Sequence, residues 1–142
     1  VSAFTPALRA CASAGQPPHL TLPATEQAPA MARAYAREAV KLAVADPNDA
    51  YMFAVTLVVS ELATNSVRYG SNPGDRLRII VDATDTRTRI EVYDSVRREP
   101  RLRPMSEECP RGRGLHIVDA CATWGTTHRP IGKAVWAEVR PR

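Results

Sequence analysis

The chain has 142 residues, 44% of them hydrophobic and 24% charged, with a formal net charge of +4. That length suits one domain, and the apolar content excludes a disordered chain. The longest apolar run, from Tyr51 to Ala63, is broken by Thr56, Ser60 and Glu61. It falls short of the roughly 18 uninterrupted apolar residues of a membrane span, so no membrane role is expected.

Of the 19 basic residues, 17 are arginine. A solvated basic surface is the plain reading, with phosphate or acidic partners left open. The start of the sequence lacks a basic stretch followed by an apolar one, so no signal peptide is read. The three cysteines, Cys11, Cys109 and Cys121, form no CxxC pair. That spacing argues against a zinc site or disulfide framework and for a reducing, cytoplasmic setting.

Residues 1–18 show no clear period and read as an N-terminal arm, ordered only if it docks; 19–142 read as a single domain. His19 to Leu22 alternates and predicts an edge strand ended by Pro23. Thr25 is expected to cap a helix from Glu26 to Val44, with Ala28, Met31, Ala32, Tyr35, Ala39 and Leu42 as its apolar stripe. Asp46-Pro47 predicts a second helix start, and Gly70 its end. On that helix Thr56, Ser60, Glu61, Thr64, Asn65 and Arg68 share the polar half. Tyr51, Val55, Val58, Val59, Leu62 and Ala63 share the half that faces a core.

Arg76–Ala83 and Thr88–Asp94 alternate around a turn at Asp85-Thr86-Arg87 and predict an antiparallel hairpin. Ser95 to Arg113 holds six Arg, three Glu and three Pro and reads as a long functional loop. Leu115–Ala122 predicts a short helix. Thr123–His128 and Lys133–Val139 predict the last two strands. Helices gathered on one face of a mostly antiparallel sheet make an α+β two-layer sandwich.

Three features could carry chemistry. Glu61 and Asn65, four apart, share one helix face; a carboxylate and an amide there can hold Mg²⁺, the carboxylate can polarise an attacking water, or both can simply be solvated. Gly112-Arg113-Gly114 opens a helix, and free N–H groups at such a start attract phosphate; a flexible loop terminus is the plain alternative. Asp94 ends a strand before the long loop, where a carboxylate could accept from an adenine amino group or merely shape a turn.

Taken in order, these features resemble the GHKL ATP-binding superfamily. Ser60-Glu61-Leu62-Ala63-Thr64-Asn65-Ser66-Val67-Arg68-Tyr69-Gly70 is similar to its N-box, in the ELxTNxxxxG form of the anti-sigma-factor serine/threonine kinase branch of actinomycete bacteria. Gly112-Arg113-Gly114-Leu115-His116-Ile117-Val118 resembles the second glycine box, and Gly132-Lys133-Ala134-Val135-Trp136 the final strand. The resemblance covers roughly residues 19–140.

It implies a Bergerat-type sandwich holding ATP between helices and a lid. Glu61 would be the general base, or would orient the nucleophile. Asn65 would contact Mg²⁺, Arg68 a phosphate, and Asp94 the adenine amino group. Gly112, Arg113, Gly114 and Leu115 would anchor the lid and bind phosphate. The lid, about Ser95–Arg111, would close on nucleotide.

The implied function is a cytoplasmic regulatory ATP-binding protein, with transcription regulation through a sigma factor or an anti-anti-sigma-type antagonist. Phosphorylation of a Ser or Thr on that antagonist and a homodimer are further expectations. Two departures should weaken adenine binding. Neither glycine of the first glycine box follows Asp94, where Ser95-Val96 stands instead, and Ala134 replaces a Thr or Ser that helps hold the base through water. Losing one such bond costs about 0.5–1.5 kcal/mol.

Two rival readings remain at this point. One is a non-catalytic partner-binding module with a degenerate ATP site. The other is nucleic-acid binding by the Arg97–Arg113 loop, against which stand its lack of aromatic residues and the acids Glu99, Glu107 and Glu108.

Overall fold

A computed structural model describes residues 4–95 and 113–141; the side chains of 113–115 lie outside that description. In chain order the elements are α1 (Thr5–Ser13), β1 (His19–Pro23), α2 (Ala28–Ala43), α3 (Asp49–Tyr69), β2 (Arg76–Ala83), β3 (Thr88–Asp94), α4 (Arg113–Cys121), β4 (Thr123–His128) and β5 (Lys133–Val139). The strands form one sheet in the order β1-β2-β3-β5-β4, every neighbouring pair antiparallel. This is the α+β sandwich expected for a Bergerat fold. Because β5 inserts between β3 and β4, the end of β3 lies directly beside the start of β5, and Asp94 is paired in register with Lys133.

Alternation sets the two faces of the sheet. Leu77, Ile79, Val81, Ile90, Val92, Val135 and Ala137 point inward and are at most 7% exposed. Against them pack Tyr35 and Val40 from α2, Val55, Val58, Val59 and Leu62 from α3, and Val118 from α4. The opposite face carries Arg78, Arg89, Glu91, Tyr93 and Trp136. There Arg89 lies 4.5 Å over the Trp136 ring and bonds both Glu91 (2.9 Å) and Glu138 (3.0 Å).

By length and mean hydropathy (1.3) α3 could cross a membrane. Its most apolar side chains instead form the centre of this core. The expected inward set of α3, Tyr51 through Ala63, is buried throughout. Thr56, expected on the polar half, is buried too: its hydroxyl donates to Met52 O and Phe53 O, both at 3.0 Å, so it needs no water.

The helix starts differ from expectation by two residues. α2 begins at Ala28 because Pro29 favours the first turn; its N-cap is Gln27, whose side chain makes no cap bond, and Thr25 accepts from Ala28 N through its main-chain oxygen at 3.0 Å. α3 is capped not by Asp46 but by Asn48, whose Oδ1 accepts from Tyr51 N at 2.7 Å. Asp46 sits at φ 50°, in the bend before it. On α2 the buried stripe is Ala28, Ala32, Tyr35, Ala36, Ala39 and Val40, whereas Met31 and Leu42 are 39% and 62% exposed.

The N-terminal arm contains a helix. α1 buries Leu8 and Cys11, and Phe4 meets the Tyr35 ring edge-on at 5.5 Å. Cys11 Sγ lies 3.4 Å from His19 Nδ1, tying α1 to the first strand.

Candidate functional site

The C-terminal half of α3 and the adjoining ends of β3 and β5 bring polar side chains together on the core side of the sheet. Glu61, Asn65 and Arg68 follow one another at four and three residues, so α3 presents them on one face. Glu61 and Asn65 are half-buried and Arg68 is exposed. Burial pushes the Glu61 carboxyl above its ordinary range, and the nearby Arg68 guanidinium opposes part of that rise. The Asn65 Nδ2 is buried without a hydrogen-bond partner among the described residues, as is the Ser71 Oγ just beyond the helix end. Buried donors left unmatched in this way suit a polar ligand or ordered water.

α4 packs along α3. Its last residue, Cys121, lines a cavity with Ala50, Tyr51 and Ala54 from the first turns of α3. The backbones of Arg113, Gly114 and Leu115 form the first turn of α4, where N–H groups lack intrahelical acceptors. Gly112 and the expected lid beyond Ser95 lie outside the described residues.

Asp94 is held hard. Its side chain is 1% exposed, and Lys133 Nζ donates to both carboxylate oxygens at 2.9 Å. Ser66 Oγ donates to Oδ2 at 2.8 Å. Two glycines make room for this arrangement. A Cβ on Gly70, the C-cap of α3, would stand 2.1 Å from Asp94 Oδ2. Gly132, at φ 71°, lets the β5 turn pass so close that a Cβ there would stand 1.8 Å from Asp94 O.

Lys133 and Ser66 had no assigned role in the sequence. The signal that could have found Lys133 is the two-residue period. Position 133 shares its inward parity with Val135, Ala137 and Val139. Ala134 has the opposite parity: it pairs with Tyr93 and Thr127 and lies on the face of the sheet away from Asp94 and Lys133.

Among the described residues no group of three or more His, Cys, Asp or Glu could cage a metal ion. The site offers single hard donors instead, Asn65 and Glu61, which suits Mg²⁺ completed by phosphate and water oxygens. A comparison with curated proteins returns no match. A family model described as the histidine kinase-like ATPase domain matches residues 22–137, from the end of β1 through most of β5. With its sandwich, its N-box helix and this match over about four fifths of its length, the chain belongs to the histidine kinase-like ATPase family, whose domain implies ATP binding.

Proposed function

We propose that this protein is an anti-sigma-factor-type serine/threonine kinase that binds Mg²⁺·ATP beside α3 and transfers a phosphoryl group to a Ser or Thr of an antagonist protein. Asn65 holds the Mg²⁺, which neutralises triphosphate charge when bound. Arg68 contacts a phosphate. The backbone N–H groups of Arg113, Gly114 and Leu115 at the start of α4, with Gly112 before them in the sequence, cradle phosphate oxygens. Glu61 takes the proton of the attacking hydroxyl or orients it, and its raised pKa brings it closer to working pH, where a base is most effective. Asp94 meets the base. Phosphoryl transfer needs mainly such positioning and charge neutralisation. The protein partner is a sigma factor or its antagonist, the expected assembly a homodimer, and the setting cytoplasmic.

The observation that carries this reading is the juxtaposition, one turn apart on α3, of Glu61 with an Asn65 amide that is buried without a hydrogen-bond partner among the described residues. Calorimetric titration of the purified chain with Mg²⁺·ATP tests it, and no binding at millimolar nucleotide removes it. One observation favours a second reading, a partner-binding module with weakened catalysis: Asp94 is already neutralised by Lys133. Labelled ATP with candidate antagonists separates the two. Transfer by the wild type that Glu61→Ala abolishes supports the kinase; no transfer by either supports the module.

A further inference from the structure

We propose that the outer face of the α2–α3 hairpin is a docking surface for an acidic amphipathic helix of a partner protein. The inference needs no nucleotide, so it goes beyond the reading above. α2 and α3 are joined only by residues 44–48 and run antiparallel. Arg33 Nη1 on α2 donates to Ser60 Oγ on α3 at 2.8 Å, which sets their relative levels. Leu57 and Phe53 lie on the face of α3 that carries Ser60, and Arg37 and Lys41 follow Arg33 on one face of α2. A basic row therefore runs beside an apolar stripe for about 12 Å.

Phe53 is 67% exposed, in a helix whose other large apolar side chains are buried or half-buried. The stripe continues through Ala50 and Ala54 to Cys121 at the end of α4, and these three help line a cavity of about 290 Å³. Exposed apolar surface beside such a hole marks a binding face, with room for a large side chain of the partner. Charge selects that partner. Arg33, Arg37 and Lys41 are exposed. Arg37 makes no ion pair among the described residues, and the contact of Lys41 with Glu38 is loose, at 3.8 Å. Asp46 and Asp49 lie past the end of the row, at the turn of the hairpin. A helix with an apolar stripe and acids along one edge matches this face. Among the described helices none carries an exposed row of acids, so a second copy does not supply one. A lipid surface has no side chain to seat in the cavity. Phe53, Leu57 and Glu61 follow one another at four-residue steps, so a helix docked here lies within a turn of Glu61.

The probe is a labelled synthetic helix of about five turns, with a leucine stripe edged by glutamates, and a twin with lysine for glutamate. Fluorescence anisotropy with the full chain should show the acidic helix binding about tenfold or more tighter than its twin. Phe53→Ser and Arg37→Glu should each weaken the acidic helix about tenfold. Leu42→Ser, at a residue 62% exposed but off the basic row, should leave binding unchanged. Added salt should weaken the wild type more than Arg37→Glu. Mg²⁺·ATP titrations of these variants should match the wild type; failure of every chain to bind ATP removes the nucleotide reading and leaves the docking result standing. An acidic helix that does not bind at about 1 mM, binds no better than its twin, or ignores both substitutions overturns the inference. Binding to phosphatidylserine vesicles that Phe53→Ser abolishes overturns it in favour of a membrane, and self-association that Phe53→Ser abolishes overturns it in favour of a second copy.

Discussion

Gly70→Ala isolates the packing around Asp94. Gly70 has φ −109° and ψ 0°, a conformation open to any L-residue, so alanine there incurs no backbone strain. By trimming the freedom of the unfolded chain the substitution would by itself stabilise by about 0.4–1 kcal/mol. Space decides the sign. The new Cβ would lie 2.1 Å from Asp94 Oδ2, 2.6 Å from its Cγ and 3.1 Å from Lys133 Nζ. Reaching the 3.4 Å of ordinary contact requires the carboxylate to retreat by about 1.3 Å. It cannot do so and keep its bonds to Ser66 at 2.8 Å and Lys133 at 2.9 Å. Separating a buried ion pair costs about 3–5 kcal/mol, so the net loss is about 2–4 kcal/mol.

Urea unfolding followed by circular dichroism would show this as a midpoint about 1–2 M lower at an unchanged slope. In an Asp94→Ala background the clash disappears, and Gly70→Ala should be neutral or stabilising, so the two substitutions are strongly non-additive. A midpoint for Gly70→Ala equal to or above wild type, or additive effects in the double variant, would refute the reasoning.

Three further outcomes follow from other sites. Tyr35 is fully buried and its hydroxyl has no partner among the described residues, so Tyr35→Phe should hold or raise stability by about 1 kcal/mol, read as a thermal midpoint; a clear loss would mean the hydroxyl is matched. For Glu61 the folded-state pKa is raised, so the folded protein binds the extra proton and stability falls as pH rises from the ordinary carboxylate range through the raised value. Glu61→Gln should flatten that decline in denaturation curves and gain stability at neutral pH, while abolishing phosphoryl transfer; an unchanged pH profile would show that Glu61 is not the source. Gly125 sits under the Trp136 ring, where a Cβ would lie 2.7 Å from its Cζ2, so Gly125→Ala should shift tryptophan emission and cost about 1–3 kcal/mol, and unaltered emission would contradict the packing.

Much of the fold was legible because one period dominated each segment. The strand at 88–94 alternates without interruption, and the bounds of all four later strands, 76–83, 88–94, 123–128 and 133–139, agree with the structure. The inward face of α3 was legible for the same reason. The α2 stripe was harder. Alanine and valine occupy enough positions that a stripe through Met31 and Leu42 fits the sequence as well as the observed one through Ala36 and Val40, and only the sheet beneath chooses. α1 left almost no signal, since an alanine-rich stretch with two inward residues, Leu8 and Cys11, has no visible period; docking on Tyr35 orders it.

The site divides along a similar line. Glu61, Asn65 and Arg68 are local to one helix, so their spacing alone places them together. The partners of Asp94 come from Ser66 at the end of α3 and Lys133 at the start of β5, which meet only because β5 is inserted beside β3. Strand order is a tertiary fact that no local pattern encodes. The final-strand motif points to Ala134, yet one step of the pleat separates it from the core-facing side and puts Lys133 there. A lysine at an inward strand position demands a buried counter-charge. The acid that ends β3, expected to wait for an adenine amino group, supplies it. The polar cluster at the ends of β3 and β5 therefore follows from two charges at paired positions, and the Glu61–Asn65–Arg68 row from one helix face.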